Sequence, residues 1–311
     1  MITTVTLNAA VDRNMVIDEV SLGSVNRVDE TQVDPGGKGI NVSRVVTRLG
    51  YDTTALSLVG GHNGAFIRHH LDEEGVPHDF LDIHGETRIS TSIMELSRGR
   101  QTSFHERGPL VTHEKLKQLE ERLESWLPKS SLVVLAGSLP AGVSDEVYAG
   151  FVEQCHRAGV KSVLDTDGPP LAKGIRTKPY LIKPNVQEAQ RVLGVRLASR
   201  SQIVVAAKEL LRWGPTVVVI SMGANGAIAV TREEALYAHP VKVELLSTIG
   251  SGDSMVAGLT IALEQGKPLE EGLRLGAAAG AATAMTPGTH LCRKEDVEAL
   301  LEKVVIERLQ P

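Results

Sequence analysis

The stretch Thr248-Ile-Gly-Ser-Gly-Asp-Ser254 decides how the rest of the chain is interpreted. Gly250 and Gly252 permit a tight turn, because glycine adopts positive φ angles without strain, and apolar residues at helical spacing follow the turn. If a helix begins here, the free N–H groups of its first turn can bind a negatively charged oxygen. Asp253 is then placed to take a proton from an attacking hydroxyl while these N–H groups hold a phosphoryl group. The simpler alternative is that Asp253 only caps a helix.

Strand-like and helix-like patterns alternate along most of the chain. Strands are expected at residues 3–7, 55–59, 132–136, 162–165, 180–182, 216–221 and 227–230, and helices at 40–49, 65–74, 145–157, 186–193 and 203–211. Such alternation predicts βαβ units, and therefore an α/β fold with a mostly parallel sheet and helices on both faces.

Two stretches, at about 11–34 and 87–108, interrupt the alternation. Both are rich in Val, Ile and Thr with charged residues between them, a pattern typical of exposed antiparallel strands. We expect one small sheet, inserted into a single α/β domain spanning 1–311, that covers a site or forms a dimer contact. The alternative is two separate surface hairpins.

Composition excludes several classes of protein. The 311 residues include 33 basic and 38 acidic side chains without a basic run, so nucleic-acid binding is not expected. Two cysteines without a C-x-x-C pair favour a reducing compartment and argue against a zinc site. The β-branched N-terminus does not resemble a signal peptide, and the apolar segment 276–285 is far shorter than the ~20 residues of a membrane helix. We therefore expect a soluble cytoplasmic protein without membrane contact.

A second glycine cluster is Asp34-Pro-Gly-Gly-Lys-Gly-Ile-Asn41, which leads into another predicted helix. Its free N–H groups and missing side chains allow a ligand to approach the backbone closely. Asn41 can donate to and accept from sugar hydroxyls, and Lys38 can hold a phosphate as a point charge. The alternative is a plain turn into a helix.

The two commonest nucleotide-binding motifs are absent. Val42 and Met255 stand where each glycine cluster would need the third glycine of G-x-G-x-x-G, and no G-x-x-x-x-G-K-[ST] occurs. Neither a dinucleotide-dependent dehydrogenase nor a P-loop kinase is therefore supported.

Three weaker signals follow predicted strands. Asp12 comes after the first strand, where open α/β sheets place ligands, although a solvated turn is the simpler interpretation. The turn from Ser221 to Gly226 suits backbone contact with a phosphate chain. Asn185 and Glu188 lie three residues apart and face the same way on a helical turn, so the pair could hold Mg²⁺ directly or through waters.

These motifs occur together in one order along essentially the whole chain: Asp12, Gly-Gly-Lys-Gly-x-Asn41, Gly-Ser-Leu-Pro140, Lys-Pro-Asn-x-x-Glu188, Ser-x-Gly-x-x-Gly226 and Thr-x-Gly-Ser-Gly-Asp253. The ordered set resembles the ribokinase-like sugar kinases, the phosphofructokinase B family. Thr-Leu-Asn8 and Gly-Gly-Lys-Gly-Ile-Asn-Val-Ser-Arg44 most resemble its branch of 1-phosphofructokinases and tagatose-6-phosphate kinases.

The resemblance implies a three-layer ribokinase-like fold with a small β-sheet lid that often forms a homodimer. It also implies ATP and Mg²⁺. Asp253 would be the base, and the amides of Gly250, Ser251 and Gly252 would form the anion hole. The other implied positions are Asp12, Gly37, Asn41 and Ser138 for the sugar; Lys183, Asn185, Ser221, Gly223, Gly226, Thr248, Ala279 and Gly280 for ATP; and Asn185 and Glu188 for Mg²⁺.

A phosphate already present on the sugar requires cations. Lys38, Arg27 and Arg88 are the candidates, and Arg107 is a weaker one; arginine suits bidentate phosphate contact. The chain departs from the family pattern at Ser251, where alanine is usual, at Ala9, where proline is usual, and at 105–107. The last departure bears on the choice of sugar.

The sequence thus predicts an ATP-dependent kinase of a ketohexose phosphate, with fructose 1-phosphate to fructose 1,6-bisphosphate as the reaction. The alternatives are a tagatose-6-phosphate kinase or 6-phosphofructokinase of the same family, and a non-catalytic sugar-phosphate sensor.

Overall fold

A computed structural model describes residues 1–309. In that range the strands are β1 (Ile2–Thr6), β2 (Ala10–Ile17), β3 (Glu30–Gly36), β4 (Thr53–Val59), β5 (His78–Asp82), β6 (Arg88–Glu95), β7 (Arg100–His105), β8 (Leu132–Ala136), β9 (Lys161–Asp165), β10 (Leu181–Ile182), β11 (Val217–Ser221), β12 (Ala227–Val230), β13 (Ala235–Ala238) and β14 (Ile306–Leu309). The helices are α1 (Lys38–Arg48), α2 (Gly61–Glu73), α3 (His113–Trp126), α4 (Val147–Arg157), α5 (Gly168–Ile175), α6 (Val186–Leu193), α7 (Arg200–Arg212), α8 (Ser251–Glu264), α9 (Leu269–Ala284) and α10 (Lys294–Leu301).

Ten strands form the main sheet in the order β14-β13-β12-β11-β10-β9-β8-β1-β4-β5. The seven strands from β11 to β5 in this order are parallel, and β12, β13 and β14 add antiparallel strands at one edge. The predicted α/β class with a mostly parallel sheet is therefore confirmed.

Helices cover both faces of this sheet because its strands are apolar on both faces. In β8, Val133 and Leu135 face a core shared with α3 to α7, while Leu132 and Val134 face a core shared with α1, α8, α9 and α10. Alternate side chains of a strand point to opposite faces, so one short strand contributes to two hydrophobic layers. The result is a three-layer arrangement with α1 and α8 side by side.

The two interrupting stretches form a separate four-stranded sheet in the order β3-β2-β6-β7. Its two hairpins are antiparallel, as expected, but the central pair β2–β6 is parallel. The expectation of antiparallel pairing was wrong there because β2 follows β1 and β6 follows β5, and both core strands run in the same direction. Both excursions therefore leave the carboxyl ends of parallel strands in the main sheet and run in the same direction.

Several elements were absent from the sequence prediction, among them β5, β13, β14, α3, α5 and α10. The predicted helix after Gly250 is present as α8, and it is the element that positions the candidate site. Over residues 1–309, no helix combines the length and apolar character needed to cross a membrane.

Candidate active site

The start of α8 has the geometry expected of an anion site. Gly250 is its N-cap and has φ 75°, in the left-handed region. A Cβ at this position would also lie 2.6 Å from the Leu291 side chain, so the turn requires glycine. Asp253 lies in the first helical turn and is 7% exposed.

Asp253 does not cap the helix, so the capping alternative is wrong. Its Oδ2 instead accepts a hydrogen bond of 2.9 Å from Asn41 Nδ2, on α1. Burial raises the pKa of Asp253 to about 6, with Lys38 and Asn41 lowering it and Asp165 raising it. The carboxylate is therefore mostly ionised at neutral pH and able to accept a proton.

The start of α1 lies directly against β1. Ile40 N donates to Thr6 Oγ1 at 3.0 Å, and a Cβ at Gly39 would lie 2.5 Å from the same oxygen. Lys38, the first residue of α1, extends its Nζ to 3.3 Å from Asp165 Oδ1. Burial lowers the pKa of Lys38, but Asp165, Glu188 and Asp253 raise it by more, so the net pKa lies above its usual value.

Asp165 is a site residue that the sequence prediction missed. It ends β9, is 1% exposed and accepts from Lys38 and also from Lys183, whose Nζ lies 3.4 Å away. Burial raises the pKa of Asp165, but the two lysines lower it by more, so it lies below the usual value. The sequence pattern could have indicated Asp165, because a carboxylate at the end of a parallel strand lies where α/β sheets bind ligands.

Asp12 lies within β2, so the simpler interpretation of a solvated turn is wrong. A Cβ at Gly36 would lie 2.3 Å from its carboxylate, which shows how closely the backbone of β3 approaches. Burial and Asp253 raise the pKa of Asp12 to about 7, while Arg88 and Arg44 lower it. Two carboxylates of raised pKa thus belong to one site, which is a common feature of functional sites.

Asn185 and Glu188 form a capping box at the start of α6. Asn185 Oδ1 accepts from Glu188 N at 2.8 Å, and Glu188 Oε2 accepts from Asn185 N at 2.7 Å. Mg²⁺ retains waters and often takes only one or two carboxylates, so the second Glu188 oxygen fits such a role. No group of three or more His, Cys, Asp or Glu side chains suited to a metal occurs within residues 1–309.

The turn after β11 lies next to this capping box. Asn185 and Ser221 form a bridge, and Ser221 N donates to Pro184 O at 3.1 Å. Gly223 begins an exposed 3₁₀ turn, and Gly226 has φ 84° with its backbone packed against Ala238. Thr248 is also exposed, two residues before the α8 N-cap. The turn from Ser221 to Gly226 thus forms an open edge beside the start of α6.

Ala279 and Gly280 lie between packed helices and not at an exposed surface where a nucleotide could contact them. Ala279 is fully buried in the core between α8 and α9. A Cβ at Gly280 would lie 3.0 Å from the Ser251 carbonyl oxygen. Both residues therefore pack the two helices together, and their nucleotide role stays a prediction.

Two of the candidate cations for a sugar phosphate, Arg88 and Arg107, line one cleft. Arg88 is half-buried and lines a cleft of about 620 Å³ that also includes Glu106, Arg107 and Thr112. Ser138 is exposed in the loop after β8, and Arg27 is exposed between β2 and β3.

Gly37, just before α1, has φ 113° and packs against Thr6 and Ala9. A Cβ at Gly37 would lie 2.9 Å from the Thr6 side chain.

A buried carboxylate beside a helix N-terminus, with lysines nearby, is an arrangement suited to a phosphoryl-transfer enzyme. Residues 5–296 match the family described as pfkB family carbohydrate kinase. The chain is 37% identical to the 1-phosphofructokinase of Bacillus subtilis, over 99% of this chain and 100% of that protein. It is 35% identical to the D-tagatose-1-phosphate kinase of Bacillus licheniformis, over 93% of this chain and 94% of that protein.

The fold agrees with these sequence matches. The crystal structure of phosphofructokinase-2 from Escherichia coli in complex with fructose-6-phosphate superposes with a TM-score of 0.89 at 29% identity, covering 97% of this chain and 98% of that one. The chain belongs to the pfkB family of carbohydrate kinases. The predicted family and ribokinase-like fold are thereby confirmed.

Proposed function

We propose that the protein transfers the terminal phosphoryl group of ATP to a ketohexose phosphate, and that fructose 1-phosphate is the substrate and fructose 1,6-bisphosphate the product. The observation that carries the proposal is the buried Asp253 carboxylate, whose pKa of about 6 suits a base, within the first turn of α8. Full-length similarity to a 1-phosphofructokinase supports the choice of sugar.

The reaction needs one proton acceptor and one set of anion donors. Asp253 accepts the proton of the sugar hydroxyl as the hydroxyl oxygen forms a bond to the terminal phosphorus of ATP and the bond between that phosphorus and the ADP oxygen breaks. The amides of Gly250, Ser251 and Gly252 hold the transferred group. Phosphoryl transfer depends chiefly on such positioning and charge stabilisation. Asp12, Gly37 and Asn41 orient the sugar hydroxyls, and Asn41 also holds the base.

ATP is assigned to the edge formed by Thr248 and the turn from Ser221 through Gly223 to Gly226. Lys183 lies near its phosphates; a Cβ at Gly252 would be 3.5 Å from Lys183 Nζ, which supports a place beside the transferred group. Glu188 and Asn185 would hold Mg²⁺ with its waters, and the ion would supply positive charge to neutralise the phosphates.

Lys38, Arg88, Arg27 and Ser138 are assigned to the phosphate that the sugar already carries. The similarity to a D-tagatose-1-phosphate kinase and the fold match to a phosphofructokinase-2 bound to fructose-6-phosphate keep other ketohexose phosphates as the second candidates. A non-catalytic sensor would have no use for an ionised base at the anion site.

The small sheet is assigned as a lid over the sugar, within one kinase domain, and as a homodimer contact. Six of the eleven large apolar side chains that are exposed in residues 1–309 lie between residues 22 and 110: Leu22, Val25, Val28, Leu96, Phe104 and Leu110. Apolar exposure concentrated in this way is typical of an interaction surface. The free, buried cysteines Cys155 and Cys292 support a cytoplasmic location.

The test is ADP release with Mg·ATP against fructose 1-phosphate, tagatose 1-phosphate, fructose 6-phosphate, tagatose 6-phosphate and fructose. The highest kcat/KM for fructose 1-phosphate is expected. A higher value for a 6-phosphate would reject the proposed substrate but keep the kinase. Asp253→Asn serves as the control for ATP hydrolysis by contaminants, and turnover of no sugar by the unmodified protein would favour the sensor.

A further inference from the structure

Asn8 has no role in the site described above, yet it joins three segments that border it. It follows β1 and is 5% exposed. Its Nδ2 donates to Ser138 Oγ and to the Arg107 carbonyl oxygen, both at 3.2 Å, and to the Leu139 carbonyl oxygen at 3.4 Å. One side-chain amide thus connects the end of a core strand, the chain leaving the small sheet, and the loop after β8.

The surroundings determine which way this amide points. Two carbonyl oxygens face one end of it, and only the NH₂ end can donate to them. The Oδ1 atom therefore points to Gly108, where a Cβ would lie 2.3 Å from it. Within residues 1–309 this oxygen has no hydrogen-bond partner. A buried unpaired acceptor is costly, so stability alone does not account for asparagine here.

The contact with Ser138 has a chemical consequence. A serine hydroxyl carries one donor and two acceptor sites. Because Ser138 Oγ accepts from Asn8, its own proton stays available for another group. Ser138 is exposed, so the hydroxyl can donate to a ligand that arrives from solvent. Asn8 thereby presents Ser138 as a donor.

The main-chain oxygen of Asn8 accepts hydrogen bonds from Arg88 and so helps to hold its guanidinium in place. Arg88 Nε and Nη2 both donate to it at 3.3 Å, and Nη1 donates to the Glu106 carbonyl oxygen at 3.1 Å. These contacts engage three of the five guanidinium N–H groups. The two that remain, one on each terminal nitrogen, suit the paired oxygens of a phosphate.

We propose that Asn8 is a positioning residue for the phosphate that the sugar carries before the reaction. Its amide directs the Ser138 hydroxyl, and its carbonyl oxygen directs the Arg88 guanidinium, toward that one anionic group. The inference rests on the proposed function, since it concerns the non-transferred phosphate of the same substrate. It makes Asn8 responsible for preference for a phosphorylated over an unphosphorylated ketohexose.

Asn8→Ala tests the side-chain half of this proposal, because the carbonyl oxygen that holds Arg88 remains. Binding of fructose 1-phosphate and of fructose is measured by calorimetry without ATP, and kcat and KM are measured with ATP. Affinity for fructose 1-phosphate should fall about tenfold, as for loss of one hydrogen bond to a charged group. Affinity for fructose, and KM for ATP, should change by less than about twofold.

Three further variants distinguish a positioning role from a general loss of stability. Because Asn8 acts through Ser138, Ser138→Ala should reproduce the loss, and the double variant should be no weaker than either single one. Thr3→Ala is the matched control: Thr3 is fully buried on β1, the strand that Asn8 follows, with Oγ1 2.6 Å from Ser130 Oγ. It should lower stability without changing the preference for fructose 1-phosphate over fructose.

Equal losses for fructose 1-phosphate and fructose, or additive losses in the double variant, would overturn the proposal. If Asn8→Ala does not fold, Ser138→Ala decides, since an unchanged preference in that variant rejects the role. The binding measurements also separate this inference from the kinase assignment. A protein that binds fructose 1-phosphate selectively through Asn8 but does not phosphorylate it would refute only the proposed function. A protein without that selectivity would refute the inference.

Discussion

Asn41 Nδ2 donates a 2.9 Å hydrogen bond to Asp253 Oδ2, although the two residues are 212 positions apart in the sequence. Asn41 lies on α1 and Asp253 on α8, so the contact joins the two glycine-led helix starts into one site. The donated N–H favours the charged form of Asp253.

Asp253→Asn should lower kcat by about 10² to 10⁴-fold, the usual contribution of a general base. KM for both substrates should change much less, because asparagine has nearly the same shape. Steady-state kinetics with fructose 1-phosphate and ATP measure this. Near-normal turnover would reject Asp253 as the base.

The same change should stabilise the fold at neutral pH. Since burial raises the pKa of Asp253 to about 6, the folded state binds a proton more tightly than the unfolded chain, and stability falls as pH rises from about 4 to 6. At pH 7.5 the buried charge is costly, and removing it should raise the free energy of unfolding by roughly 1 to 3 kcal/mol. Urea unfolding at pH 7.5 and at pH 4 provides the comparison, since the gain should vanish at the lower pH.

Asn41→Ala should shift the pH dependence of kcat/KM. The Asn41 hydrogen bond lowers the pKa of Asp253, so its loss raises that pKa and moves the acidic limb of the profile to higher pH. Ser43→Ala is the control, because Ser43 is buried on the same helix and bonds Thr4 and Thr53 instead. An unshifted limb in Asn41→Ala would mean that Asp253 does not control the profile.

Lys38→Ala and Lys183→Ala should affect different substrates, although both lysines contact Asp165 Oδ1. The first should raise KM for the sugar phosphate more than KM for ATP, and the second should do the reverse. Each loss should be about tenfold or more, as for other contacts between charged groups. Equal effects of Lys38→Ala on both substrates would count against its contact with the sugar phosphate.

Gly36→Ala should impair sugar binding without a direct effect on ATP. The new Cβ would lie 2.3 Å from the Asp12 carboxylate, so the carboxylate must move from its place beside the sugar. We expect KM for fructose 1-phosphate to rise about tenfold or more, while KM for ATP stays the same. Gly150→Ala, at an exposed position of α4 with no atom within 4 Å of its Cβ, controls for glycine replacement in general.

Phe104→Glu tests the small sheet as a dimer contact. Phe104 is 59% exposed on the edge strand β7, and a charge there should oppose pairing with a second copy. Light scattering after gel filtration should show a dimer for the unmodified chain and a monomer for the variant. Val205→Glu, at a residue that is 66% exposed on α7 and outside the small sheet, is the matched exposed replacement. A monomer in both unmodified and variant protein would reject the assembly.

Local patterns predicted the main elements well. The strand 132–136 and the helix 186–193 were predicted with their observed bounds, because apolar runs and helical spacing are local signals. The parallel pairing of β2 with β6 was not predictable in this way. This pairing depends on where two segments distant in the sequence leave the main sheet, and a local sequence pattern does not contain that information.

By itself the sequence determined the α/β class, the two glycine-led helix starts and the residue types that carry the chemistry, because each depends on neighbours along the chain. Only the tertiary structure decided that Asp165 contacts both Lys38 and Lys183, that Ala279 is buried in the core, and that Asn8 donates a hydrogen bond to Ser138. These properties arise from burial and from contacts between distant segments. The pKa of a carboxyl group and the direction of an amide are therefore properties of the folded arrangement.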